Sequence, residues 1–220
     1  MTHHEVEKYS KAARVFHWTH MTAFVLLFLT GLILFIPGLG FLAEGGITRI
    51  IHRVAAAVFV IIPLFYLVFR WKATWRGIGE AFTWSQKDVG WLKAAPRFYF
   101  LNDESAMPPQ DSMNSGQKMW ALIAIVAGIV FAITGGIMWF GAETMSAGTL
   151  QWMVFIHDIA FILAGTFLLI HIYLAVVHPL MTESWSAMVS GKISVEYAKK
   201  HHGKWYKGIS MAQKLSLIHI

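Results

Sequence analysis

Two histidines, His157 and His171, stand fourteen residues apart inside one apolar stretch, Trp152 to Val177. Fourteen residues of α-helix make about four turns, so both imidazoles leave nearly the same face, ~21 Å apart along the axis. Two more histidines open apolar runs, His17 the first and His52 the second. Histidine within a membrane-length apolar run is costly and by default functional. Imidazole serves as a proton carrier or as a metal ligand. The chain has no cysteine, so disulfides, thiolate metal sites and iron–sulfur ligation by this chain are excluded. Zinc wants four ligands per site, whereas haem iron asks only axial ligands of the protein. Depth pairs His17 with His171 and His52 with His157. Two bis-histidine sites at two levels suit haem better than zinc. His20, one turn inward of His17, is an alternative ligand. Each terminal histidine also has a plainer reading as an interfacial side chain. His178 is read as interfacial beside Pro179, and His3, His4, His201 and His202 as solvated.

Positioning such ligands requires helices that cross a bilayer. The chain has 220 residues, 56% of them hydrophobic and 14% charged; soluble domains carry about 25% charged residues. Apolar runs of the ~20 residues needed to span a bilayer fall at about 16–36, 51–71, 118–140 and 152–177. The expected fold is all-α, an integral membrane four-helix bundle. Residues 1–15 form an N-terminal segment, 16–180 the transmembrane domain and 181–214 a basic tail. Residues 215–220, Leu-Ser-Leu-Ile-His-Ile, are the translation of a transposase adapter end used in library preparation. They are left out of the fold argument, His219 with them. Pro63 is expected to kink the second span, and residues 73–117 are read as one long polar connection. The first apolar run has no small-residue cleavage site, so no signal peptide is expected.

Of 18 Lys and Arg residues, 16 fall in or beside the N-terminus, the long connection and the tail, and only Arg49 and Arg53 fall on the other side. By the positive-inside rule both termini and the long connection are expected in the cytoplasm. Trp18, Trp71, Trp75, Trp139, Trp152 and Trp185 mark span ends, as interfacial aromatic belts do. The formal charge of +6 follows from these membrane-flanking segments and does not indicate nucleic-acid binding. Small residues, among them Gly31, Gly128, Gly135, Gly136 and Gly165, allow close backbone approach. They serve helix packing or make room for a flat macrocycle.

Phe16-His17-Trp18, Ile51-His52-Arg53, Asn114-Ser115-Gly116-Gln117-Lys118-Met119, Ile156-His157 and Ile170-His171-Ile172-Tyr173 resemble the cytochrome b, or gamma, subunit of membrane-bound respiratory formate dehydrogenase. Gly191-Lys192-Ile193-Ser194, Ala198-Lys199-Lys200-His201-His202 and Trp205-Tyr206 are similar to that family's cytoplasmic end. The resemblance covers about residues 14–206. It implies a dihaem cytochrome b in the bacterial inner membrane, serving anaerobic respiration within a complex and not as a stand-alone formate oxidase. It further implies that an alpha subunit with molybdenum or tungsten pterin oxidises formate, and that an iron–sulfur beta subunit delivers electrons to the outer of two haems b. His52 and His157 would bind that outer haem, His17 and His171 the inner one. A quinone, menaquinone or ubiquinone, would be reduced beside the inner haem by the segment with Asn114, Gly116 and Gln117, near His171. Asn114 and Gln117 also fit a helix cap, and the two roles are compatible. The chain departs from the family in residues 72–113, which carry extra tryptophans and Pro108-Pro109.

Three competing readings remain open on the sequence. One keeps the mechanism and changes the donor, as in hydrogenase or thiosulfate-reductase cytochrome b subunits. A second is a haem-free membrane anchor, and a third a metal transporter using membrane histidines.

Overall fold

Ser10 opens the first helix, α1 (Lys11–Phe35), its hydroxyl accepting from Ala13 N at 3.3 Å. The computed structural model describes residues 4–218, with side chains through Met211. His3 and the last two residues of the adapter-like hexapeptide, His219 and Ile220, therefore lie outside the described residues. α1 stops where Pro37 forces Ile36 into extended backbone, φ −88° and ψ 113°. A 3-10 turn, Pro37–Ala43, leads to Gly46 at φ +76°, and α2 (Ile47–Phe69) follows. α2 runs unbroken past Pro63, as membrane helices tolerate. α5 (Ser115–Phe140) and α6 (Ala147–Ile172) supply the other two long apolar helices. α6 widens into a π-helical turn, Tyr173–Val177, closed by His178 N donating to Tyr173 O at 2.9 Å.

The chain divides into two compact units. One consists of Val15–Trp75 and Ile123–His171 and holds most of the four long helices. Its interior is built of small side chains such as Ala23, Ala55, Ala160 and Ala164, while Leu29, Phe65, Ile133 and Leu169 are exposed. A soluble fold does the reverse. Here the outward face is made for hydrocarbon, and small residues let the helices approach closely. Rings knit the helices together. Phe16 meets Tyr66 at 4.6 Å and Phe24 meets Phe59 at 5.5 Å between α1 and α2. Phe28 meets Phe161 at 5.5 Å between α1 and α6. The protein is an all-α, four-helix membrane bundle.

The other unit consists of Met1–Arg14, Arg76–Leu122 and Ile172–Ile220. The long polar connection is itself largely helical, forming α3 (Trp71–Phe82) and α4 (Gln86–Leu101). Asp88 caps α4, accepting from Ser85 N at 2.8 Å. The same carboxylate meets Lys118 at 2.9 Å, with both side chains buried. Burial pushes the Asp88 carboxyl up, but bonds from Lys118, Ser85 and Ser115 outweigh it and hold it at about 2. The tail forms α7 (Thr182–Ser190), α8 (Val195–His201) and α9 (Gly203–Ile218). Strand β1 (Glu5–Glu7) pairs antiparallel with β2 (Lys192–Ser194), Val6 opposite Ile193. Gly191 precedes β2 at φ +89°, and a Cβ there would stand 2.7 Å from Tyr9 O.

Candidate functional site

His52 on α2 and His157 on α6 face each other with ring centres 6.4 Å apart. Two imidazoles bonded to opposite sides of one metal at ~2 Å place their ring centres ~6 Å apart. Both rings line one cavity of about 790 Å³. A threonine grips each ring. Thr30 Oγ1 lies 2.8 Å from His52 Nδ1, and Thr134 Oγ1 lies 2.8 Å from His157 Nδ1. Each hydroxyl already spends its one proton on the preceding turn, Thr30 on Leu26 O at 2.6 Å and Thr134 on Val130 O at 2.7 Å. A hydroxyl has a single proton to give, so the ring nitrogen must be the donor. Each histidine is therefore Nδ1–H, with its Nε2 lone pair left for a metal.

Glycine follows each threonine. A Cβ on Gly31 would reach His52 Cε1 at 3.8 Å, and one on Gly135 would reach His157 Cε1 at 3.6 Å. The cavity wall is mostly apolar, with Arg49, Arg53 and Asp158 among its lining. Arg49 Nη1 donates to Ala43 O at 2.8 Å, and the Arg53 guanidinium sits 5.5 Å from the centre of the Trp139 ring.

The second level of histidines is arranged differently. His17 is an electrostatic neighbour of both His20 and His171. His20 stacks on Phe59 at 4.3 Å and on Phe16 at 5.5 Å. The Nδ1 atoms of His17 and His20 are buried without a hydrogen-bond partner among the described residues.

Asn114 and Gln117 form a reciprocal cap at the start of α5. Asn114 Oδ1 accepts from Gln117 N at 2.8 Å, and Gln117 Oε1 accepts from Asn114 N at 2.9 Å. Gly116 lies against Trp91, which a Cβ would approach to 3.1 Å. Ser115 beside them is fully buried, 2.9 Å from Gln110 Oε1. One outlying histidine is not where the sequence suggested. His202 is buried, with Nδ1 2.8 Å from Asp111 O, and burial pulls it down to about 3. His178 is buried too, its Nε2 3.0 Å from Tyr99 O.

The family model for prokaryotic cytochrome b561 matches residues 8–191. The chain belongs to that family. It is also similar to the nitrate-inducible formate dehydrogenase cytochrome b556(Fdn) subunit of Escherichia coli K12, 29% identical over 209 residues covering 91% of this chain and 89% of the relative. The formate dehydrogenase cytochrome b556 subunit of Haemophilus influenzae is 27% identical over 201 residues, 89% of this chain and 79% of the relative. The cytochrome b556(fdo) subunit of Escherichia coli K12 is 24% identical over 212 residues, 93% of each chain.

Membership makes the chain a multi-pass membrane cytochrome that binds haem b. The residues present fit that group. The His52–His157 pair sets two imidazole ring centres at about the separation a sandwiched metal needs, and a macrocycle would supply the rest. Among the described residues no three His, Cys, Asp or Glu side chains converge as a metal site. The glycines flatten the walls beside the rings, and arginines offer charge to carboxylates.

The reading of the sequence missed Thr30 and Thr134. A signal was there to find, since Thr-Gly occurs in the first and third spans, at Thr30-Gly31 and Thr134-Gly135.

Proposed function

We propose that the chain is the cytochrome b subunit of a quinone-reducing formate dehydrogenase. It takes electrons from an iron–sulfur partner through two haems b to a quinone. The observation that carries the reading is the facing pair His52–His157, each ring turned by a threonine so that Nε2 is left for a metal. A haem-free anchor has no use for that arrangement. The choice of formate rests on the relatives, which match over nine-tenths of the chain and carry that activity in their names.

Haem supplies reversible one-electron transfer at each level. His52 and His157 hold the outer group, and His17 and His171 the inner one. Arg49 and Arg53 offer cations to the outer group's carboxylates. The apolar wall around the pair keeps water from the iron, and the lipid-facing side chains insulate the bundle. Asn114, with Gly116 and Gln117, presents amide groups to a quinone carbonyl, while the cap fixes the segment's backbone. Menaquinone or ubiquinone both present that carbonyl. Basic loops support placing this end in the cytoplasm of a bacterial inner membrane. An electron moving inward works against the membrane potential, ~2.3 kcal/mol per 100 mV, which the drop from formate to quinone offsets.

Two measurements test this. Purified protein should show a reduced b-type α-band with two haems per chain, and formate added to native membranes should reduce both. Reduction by hydrogen alone, or reoxidation of the reduced haems by thiosulfate, would change the partner reaction. His171→Ala should lose one haem and keep the other, and retention of both would overturn the pairing.

A further inference from the structure

We infer that Thr30 and Thr134 are positioning residues that lower the reduction potential of the iron held by His52 and His157 relative to that held by His17 and His171. The inference rests on the dihaem reading above and deepens it. Both threonines are buried, and each sits one residue before the glycine that faces the ring it holds. Each accepts a hydrogen bond from Nδ1–H at 2.8 Å while donating to the carbonyl four residues back. A bond accepted from Nδ1–H fixes the ring's tautomer and orientation and makes the opposite nitrogen a stronger donor. A stronger donor stabilises oxidised iron more than reduced iron, so the potential falls.

The other level lacks this device on at least one side, because the Nδ1 of His17 is buried without a partner. The two levels therefore differ in ligand strength although all four ligands are imidazoles. The sign suits the proposed direction. A lower potential at the entry level makes the step to the exit level downhill, against a membrane potential that opposes it.

The test is potentiometric titration of the purified chain with haem bound, followed at the α-band. Wild type is expected to give two midpoints. Thr30→Val and Thr134→Val keep the branched shape and remove the hydroxyl. Each should raise one midpoint and leave the other unmoved, and the double variant should raise it further. Thr30→Ser and Thr134→Ser retain the hydroxyl and should keep the wild-type midpoint. Transfer of that haem to a haem-free globin should show ~10-fold weaker retention in the valine variants. If a valine variant sheds the haem altogether, the serine variant decides. Retention at the wild-type midpoint supports the inference, and loss there too reduces the threonines to packing and overturns it. Unmoved midpoints, or equal movement of both, overturn it as well. A single midpoint in a wild type that holds two haems per chain overturns the inference, whereas one haem per chain overturns the dihaem reading.

Discussion

A histidine that binds iron with one nitrogen leaves the other to be settled by its neighbours. At His52 and His157 a threonine hydroxyl settles it, and at His17 nothing does. The four proposed ligands were singled out from residue type and spacing, because imidazoles at two depths in apolar helices are rare and need a cause. The threonines could not. A hydroxyl bonded to the carbonyl four residues back is ordinary in any helix, and only tertiary structure reveals its second bond. His202 was misjudged for a related reason. Its basic surroundings suggested water, but the fold buries it against Asp111 O. Lys8 shows the opposite extreme, a charge the fold draws inward. Its Nζ donates to Ser112 O at 2.7 Å and sits 4.1 Å from the Trp205 ring centre. Burial pulls it from 10.5 to about 7, against the raising effect of Glu80 and Asp111. Between those values the unfolded chain holds a proton the folded chain has lost, so stability rises with pH across that window. Thermal unfolding in detergent should show a higher midpoint at pH 9.5 than at pH 7. In Lys8→Met that rise should flatten.

At the scale of elements, α1 and α6 exchange glycine for phenylalanine twice. Gly31 faces Phe161 and Gly165 faces Phe28, where added Cβ atoms would stand 3.3 and 2.7 Å from the rings. The apolar spans were plain in the sequence, since length and composition alone mark them. Their ends were less so, with α1 starting at Lys11 and α6 at Ala147, because polar first turns blur the pattern. Helices α3 and α4 were hidden in the stretch read as a polar connection. α4 carries Gly90 and Pro96 and holds through its capping carboxylate and the buried Asp88–Lys118 pair, which local propensity does not reveal. The reciprocal packing makes a prediction. Gly165→Ala should lower stability by about 1–3 kcal/mol through overpacking, measured as a lower unfolding midpoint with haem bound. Phe28→Leu added to it should restore part of the loss by removing the ring in the way. No recovery in the double variant would remove this contact as the cause.

At the scale of the whole molecule, the absence of cysteine turns the proposed orientation into a simple measurement. Single cysteines at Ala142, in the α5–α6 loop, and at Ser105, in the α4–α5 loop, can be offered to a membrane-impermeant thiol reagent. In intact bacterial cells stripped of their outer membrane, Ala142→Cys should label and Ser105→Cys should label only after lysis. The reverse pattern would invert the direction of charge movement. One further consequence lies in the small ribbon of β1 and β2. Its two strands lie far apart in the sequence, at Glu5–Glu7 and Lys192–Ser194, so it can close only after both have been synthesised. The N-terminal segment must therefore wait, unpaired, while the spans enter the bilayer one after another. Pairing across that distance gives biogenesis a late checkpoint, at which a chain cut short before residue 192 would leave β1 without its partner strand.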